Sequence, residues 1–343
     1  CTGCYSLSTN LLWGDTGGSG TPVAAYTAQF GNGVSATLSI EDNTERRNPV
    51  VNLSFNPTSV NSTGGIVTAA AFTAGVTNTS SQEGYKVPDI VGALRVDQAW
   101  GSAQISGAAH YLAGTYYANA AGTNQNQANG HPGDTWGWAA NAGLTLKMPW
   151  DPKDTLSMQG TYCDGATRYC MNNNANLNPN SGLVSNLVNT STVATAWSDD
   201  AYYVNGGGLE KSKMWSVVAA FEHYWTPSLR QSVYGGYNSY ETDSASVDAQ
   251  MCGGGSGCMD WSAWQIGSRL LWNPVANLDI GLDVMYTNID GTSCARSAGA
   301  AGGGVAAPSC ATANPGAPIS SALNLGDAHV WSGIFRVQRN FWP

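Results

Sequence analysis

Hydrophobic and polar residues alternate along this chain with a period of two, in segments of about ten residues. The clearest segment is Leu278-Asp-Ile-Gly-Leu-Asp-Val-Met-Tyr286, in which Leu278, Ile280, Leu282, Val284 and Tyr286 share one side and Asp279, Gly281, Asp283 and Met285 the other. Successive side chains of a strand point to opposite faces, whereas a helix would scatter both sets around its circumference. The same alternation predicts strands at 23–31, 33–42, 90–100, 102–117, 136–148, 155–163, 214–225, 229–241, 260–272 and 329–341, eleven with the segment at 278–288. Short turns and long tracts separate them in strict alternation. Gly31-Asn32, Gly101-Ser102, 149–154, 226–228 and 273–277 are short, while 43–89, 118–135, 164–213, 242–259 and 289–328 are long and rich in Gly, Asn, Ser and Thr. An up-and-down antiparallel barrel has this pattern, with one rim of turns and one of loops. A sandwich gives no reason to place every long connection on one side, and no fixed repeat period indicates a solenoid.

The apolar sides carry a second regularity. Trp138, Ala140, Ala142, Leu144, Leu146 and Met148 form one such face and Trp264, Ile266, Ser268, Leu270 and Trp272 another, with aromatic rings near the ends. Tyr26, Phe30, Trp100, Tyr111, Trp215, Trp225, Trp331 and Phe341 sit in similar terminal positions. Amphipathic rings settle where lipid headgroups meet hydrocarbon, so two aromatic girdles around an aliphatic band predict a transmembrane antiparallel β-barrel. Ten residues rising ~3.3 Å each at a ~45° tilt cover about 23 Å, close to the band such barrels need.

With the greasy side outward, the polar side lines a lumen. Arg95, Lys147, Arg269 and Arg336 form a candidate basic wall, with Asp97, Glu222, Asp279 and Asp283 as acidic counterparts. Opposed charges would orient dipolar solutes and set ion preference. Cross-strand pairing among these residues is the competing reading for each of them. His110, on the same face, reads as a solvated pore histidine.

Composition narrows the choices. The formal net charge is −9, charged residues make up 11% of 343, and Lys and Arg form no basic stripe, which argues against a nucleic-acid partner. No run of about 18 apolar residues is present, which excludes a helical membrane protein but not a barrel. The first residues show no charged, then apolar, then small-residue pattern, so no signal peptide is visible in the sequence. Four scattered histidines, without a nucleophile elbow, phosphate loop or metal-binding helix motif, suggest neither an enzyme nor a cofactor. The eight cysteines fall into near pairs, Cys1/Cys4, Cys163/Cys170, Cys252/Cys258 and Cys294/Cys310, the last three in or beside long connections. Disulfides formed in an oxidising compartment fit this placement, and each short loop closed would contribute ~2–3 kcal/mol. Zinc needs four ligands, and Cys1-x-x-Cys4 has no companions at suitable spacing.

Pro88-Asp-Ile-Val-Gly-Ala-Leu-Arg-Val-Asp-Gln-Ala-Trp-Gly-Ser-Ala-Gln-Ile-Ser-Gly107 resembles the characteristic hairpin of the alphaproteobacterial porins, the family of Brucella and Rhizobiales general porins. The block 24–33, followed by Thr37-Leu-Ser-Ile-Glu-Asp42, is similar to another of its segments, and Arg336-Val-Gln-Arg-Asn-Phe341 to its terminal strand. The resemblance implies a 16-stranded, homotrimeric, water-filled porin in lipopolysaccharide-bearing outer membrane, passing ions and small hydrophilic solutes without a cofactor. It further implies one barrel domain over 1–343, the eleven segments corresponding to strands six to sixteen, and 1–20 to the end of an inward-folded constriction loop. The first five strands would then precede this sequence, with 65–76 and 184–204 as the places where strands could have escaped the pattern. A substrate-specific channel and a barrel enzyme or adhesin acting through its loops are the alternatives.

Overall fold

The computed structural model describes residues 5–7, 21–55, 81–120, 122, 124–171, 183–188, 191–251, 257, 260–291 and 328–340. Its main element is an antiparallel sheet of eleven strands in the order β1-β2-β4-β5-β6-β7-β12-β13-β14-β15-β16. These are β1 (Val23–Gly31), β2 (Val34–Glu41), β4 (Asp89–Gln98), β5 (Gly101–Leu112), β6 (Thr135–Lys147), β7 (Thr155–Asp164), β12 (Lys213–Thr226), β13 (Leu229–Glu241), β14 (Trp261–Trp272), β15 (Leu278–Gly291) and β16 (Ala328–Arg339). Within the sheet each strand pairs with its predecessor and successor in the chain, an up-and-down meander with all its tight turns on one rim.

The turns follow from local chemistry. Between β1 and β2, Asn32 (φ 49°) and Gly33 (φ 74°) are both left-handed, the conformation a two-residue hairpin takes to match strand twist. A Cβ on Gly33 would fall 1.9 Å from the carbonyl oxygen of Asp97, so a side chain there would force β2 away from β4.

Five further strands lie in the long connections. β3 (Val50–Asn52) pairs parallel with β10 (Ala201–Tyr203), which pairs antiparallel with β11 (Glu210–Lys211). β8 (Leu183–Val188) and β9 (Ser191–Trp197) form a hairpin. The interval 184–204 therefore does hold strands, but none joins the main sheet. The interval 65–76 lies outside the described residues. β5 stops at Leu112 rather than at 117, because Leu112 is fully buried beneath the connections and Gly114 pairs with Gln82 instead of continuing the ladder.

The apolar face of the sheet points away from the protein. Ile266 (51%), Leu282 (49%) and Trp138 (44%) are exposed, as are Leu38, Leu94, Ile105, Val217, Val284 and Phe335. Soluble proteins rarely leave so wide an apolar surface open, whereas a barrel presents it to lipid. Towards the loop rim of this face, ring contacts join Trp138 to Tyr162 (5.4 Å), Trp215 to Tyr237 (5.0 Å), and Tyr286 to both Trp264 (5.1 Å) and Trp331 (5.0 Å). Phe30, Trp100, Trp225 and Trp272 stand exposed towards the turn rim. No helix among the described residues is long and apolar enough to cross a membrane.

Candidate functional site: the inner face of the sheet

Directly opposed residues share a face, so the strand register shows which polar side chains meet. Lys147 lies opposite Thr155, Thr155 opposite Glu222, Glu222 opposite Ser232, Ser232 opposite Arg269, and Arg269 opposite Asp283. One row across six strands, near the turn rim, thus carries four charges, with a hydroxyl between Lys147 and Glu222 and another between Glu222 and Arg269, and Arg269 directly facing Asp283. Arg336 lies opposite Gly281, at nearly the same level.

Arg269 Nη2 donates to Glu222 Oε2 at 2.5 Å, and Arg230 Nε stands 3.9 Å from the same oxygen. Arg230 also donates from Nη1 to the Tyr224 hydroxyl at 3.0 Å. Two guanidinium groups thus converge on one carboxylate. Arg230, beside the 226–228 turn, was not among the residues singled out from alternation, although it shares the parity of Ser232. Arg95 binds Asp97 through Nε (2.8 Å) and Nη2 (2.7 Å), a pair within one strand with both side chains about half exposed. Lys147 and Arg336 are exposed and have no carboxylate partner among the described residues. Asp279 is half-buried and accepts from the Asn273 amide.

Asp283 is not an open wall residue. It is 2% exposed and accepts from Ser6 Oγ (2.6 Å) and Leu7 N (2.5 Å) on one oxygen and from the Tyr234 hydroxyl (2.6 Å) on the other. Ser232 Oγ donates to the Tyr5 carbonyl at 2.6 Å, and the Tyr5 hydroxyl lies 2.8 Å from Ser157 Oγ and 3.2 Å from Thr155 Oγ1. The segment Tyr5–Leu7 is therefore laid along the inner wall over β7, β13 and β15. Gly281 makes room for it, since a Cβ there would meet Leu7 Cδ1 at 2.7 Å. Arg269 is 5% exposed. Period-two alternation assigns these residues to a face but carries no information about a segment lying across that face.

The loop-side half of the same face is dry. Ala108, Ala139, Cys163, Met214, Tyr240, Trp261, Ala263 and Ile289 project from the sheet into one core with Val51, Ala166, Cys170, Met171, Tyr202 and Val247 of the inward-folded connections. Cys163 and Cys170 form a disulfide with Cα atoms 6.1 Å apart, which closes the turn around Thr167–Tyr169 onto the end of β7. Cys1, Cys4, Cys252, Cys258, Cys294 and Cys310 lie outside the described residues, as do Phe341 and Trp342.

His110 corrects the sequence reading. It is fully buried rather than solvated, with Nδ1 2.9 Å from both oxygens of Asp89 and Nε2 3.8 Å from Asp200 Oδ2. Tyr169 OH donates to Asp89 (2.6 Å), and Asp200 accepts from the backbone N–H groups of Asn48 and Thr167 (2.7 Å each) and from Thr167 Oγ1 (2.7 Å). Burial pushes the Asp200 carboxyl up to about 6 against these favourable contacts, and pushes the Tyr169 hydroxyl upward as well. Where the turn between β6 and β7 meets β12, Asp154 accepts from Trp150 Nε1 (2.8 Å) and Tyr224 N (2.9 Å) and lies 2.6 Å from His223 Nδ1. These contacts outweigh its burial and hold its carboxyl below the ordinary value. No group of three or more potential metal ligands occurs among the described residues.

No curated protein matches the chain. Among solved structures it is similar to the outer membrane channel DcaP of Acinetobacter baumannii, at 13% identity and a TM-score of 0.48. That alignment covers 92% of this chain and 62% of the other, so the chain spans less than two thirds of that protein's length. Residues 2–311 match the family model described as a porin subfamily, and with most of its length matched the chain belongs to the porin family.

Proposed function

We propose that the chain forms the wall of a water-filled channel in the bacterial outer membrane, through which ions and small hydrophilic solutes diffuse passively and without catalysis. The observation that carries this reading is the split between the two faces of one sheet. Aliphatic and aromatic side chains stand exposed on one, while the other carries the row from Lys147 to Asp283. The exposed charges Arg95, Asp97, Lys147 and Arg336 are the residues proposed to meet passing solute, with Glu222, Arg230 and Arg269 setting the local field behind them, Asp279 at the turn-side mouth, and Asp283 holding Tyr5–Leu7 across the path. The likeness of 88–107 to the alphaproteobacterial hairpin supports placing the chain in that subgroup. A homotrimer, with lipid and lipopolysaccharide around its apolar face, is the assembly proposed. Porin-family membership and the wide apolar belt support it.

Purified full-length protein added to a planar bilayer should give stepwise, ohmic conductance. Absence of steps from folded protein would contradict the channel reading. Tyr5–Leu7 lying beside the arginine cluster gives a reason to test for a saturable site. Block of the current that saturates with added sugar, amino acid or phosphate would favour a substrate-specific channel over general diffusion.

A further inference from the structure

The outward face of the sheet is largely apolar, and near its turn rim it carries a polar patch. Phe221, His223 and Trp225 alternate with the inward Glu222 and Tyr224 of β12, so they share the outward side with the exposed Val217. His223 lies directly opposite Gln231, and Gln231 opposite the exposed Leu270. Gln231 donates from Nε2 to Ser268 Oγ at 3.1 Å, and Ser268 shares the parity of Ile266 and Leu270. The exposed Trp150, Trp225 and Trp272 stand at the same rim. A polar or ionisable side chain turned towards lipid is costly, and its presence there calls for a partner.

The hydrogen bonds within the patch leave donors over. His223 Nδ1 lies 2.6 Å from Oδ2 of the wholly buried Asp154. A carboxylate only accepts, so Nδ1 carries the hydrogen, and Nε2 remains without a hydrogen-bond partner among the described residues. The ring is set between Phe221 (parallel, centroids 6.5 Å apart) and Trp225 (edge-on, 4.5 Å), with the side chain 35% exposed. Trp225 Nε1 donates to Gln231 Oε1 at 3.2 Å, which occupies the amide oxygen. What remains is the second N–H of Gln231 and the hydroxyl hydrogen of Ser268. His223 precedes the end of β12 at Thr226 by three residues, which at ~3.3 Å per residue and ~45° tilt puts it about 7 Å inside the rim, at the level of lipid headgroups and ester groups.

We propose that this patch binds one phospholipid of the turn-side leaflet, with the phosphodiester on His223 Nε2 and the Gln231 amide and an ester carbonyl on the Ser268 hydroxyl. Phosphodiester and ester oxygens only accept, which matches the hydrogens left over. An ammonium headgroup is itself a donor and would compete with them. Nε2 donates as the imidazolium, whose charge lies between the Asp154 carboxylate and the phosphodiester. Asp154 is a positioning residue: it fixes the ring and does not touch the lipid. On the same turn Lys153 is exposed and adds positive charge at the rim, while Asp151 is half-buried and accepts from the Lys153 backbone N–H.

The site rests on the reading that lipid covers this face, and its test separates the two. In native mass spectrometry of the full-length protein from a phosphorus-free detergent, added dipalmitoyl phosphatidylethanolamine should give one tightly held lipid per chain. Dipalmitoylglycerol, which lacks the phosphate, should give none. His223→Phe keeps a ring between Phe221 and Trp225 but removes the N–H, and should weaken the held lipid about tenfold. Gln231→Leu leaves Asp154 untouched, should weaken it about threefold, and carries the test if His223→Phe does not fold. Nitrogen NMR of histidine-labelled wild type should show the His223 Nε2 signal moving with the phospholipid and unmoved by dipalmitoylglycerol or inorganic phosphate. Displacement of the lipid by inorganic phosphate would make this a site for a free anion. Unchanged lipid retention in both variants would remove it, and disulfide-linked pairs of His223→Cys chains joined through that position would give the patch to a second copy. Each of these results overturns the proposal. Protection of an Ile266→Cys thiol in vesicles, together with no phosphate-dependent lipid, would overturn the site and leave the channel reading standing.

Discussion

The loop-side and turn-side halves of one sheet face are built on the same alternation yet end in different environments. Near the long connections, Met214, Tyr240, Trp261 and Ile289 point inward from the strands and meet Val51, Tyr202 and Val247 in a dry core. Near the turns, the inward positions are Lys147, Glu222, Arg269 and Arg336, with Lys147 and Arg336 open and Ser232, which stands between Glu222 and Arg269 in the row, bonded to Tyr5. A strand sequence specifies which side chains share a face. Whether that face is wet depends on what the connections bring over it.

Substitutions at the two ends should therefore fail differently. The largest effect is expected at Glu222→Ala, which leaves Arg269 almost buried beside Arg230 without their shared carboxylate. Breaking such a pair costs about 3 kcal/mol, at the low end for buried pairs because Glu222 retains some contact with solvent. Denaturant unfolding in detergent would measure the loss, and the zero-current potential of any surviving channels should move towards anions. Next, replacing Cys163 and Cys170 together by serine should cost ~2–3 kcal/mol. Hydrogen exchange should report the change at 164–171 and 198–203 and leave β13–β15 protected as before. Asp283→Asn keeps the volume but loses the charge that accepts from Ser6, Leu7 and Tyr234, at a cost of about 1–3 kcal/mol. If Tyr5–Leu7 narrows the path, single-channel conductance should rise in this variant. Lys147→Gln should be the mildest, within about 0.5 kcal/mol of wild type in stability, and visible only as a shift of zero-current potential towards cations. An Asp283→Asn channel of unchanged conductance would remove Tyr5–Leu7 from the path, and a Glu222→Ala protein as stable as wild type would remove the reason for separating the two halves.

Much of this was legible in the chain. All eleven strands of the main sheet, their faces and the alternation of short and long connections follow from period-two patterning and turn residues. The Cys163/Cys170 pairing was legible from proximity alone. His110 was misread because its parity places it on the polar face, while its burial comes from Asp200, ninety residues on in the sequence. Asp283 stands as a bare acid in its strand, and nothing local indicates that Ser6 and Leu7 will occupy both its sides with Tyr234. Arg230 was passed over at the start of its strand, where turn and strand signals overlap. For His110 and Asp283 the missing information was long-range: contacts made by segments outside the strands, which carry no periodicity.

The most direct test of the two-faced sheet is thiol accessibility of the full-length protein in lipid vesicles. Single cysteines at Lys147 and Arg95 should react with a small, charged, membrane-impermeant thiol reagent, and cysteines at Ile266 and Leu282 should be protected from it. Fast reaction at Ile266 and Leu282 with protection at Lys147 and Arg95 would mean that water wets the apolar face, and the channel account would fail.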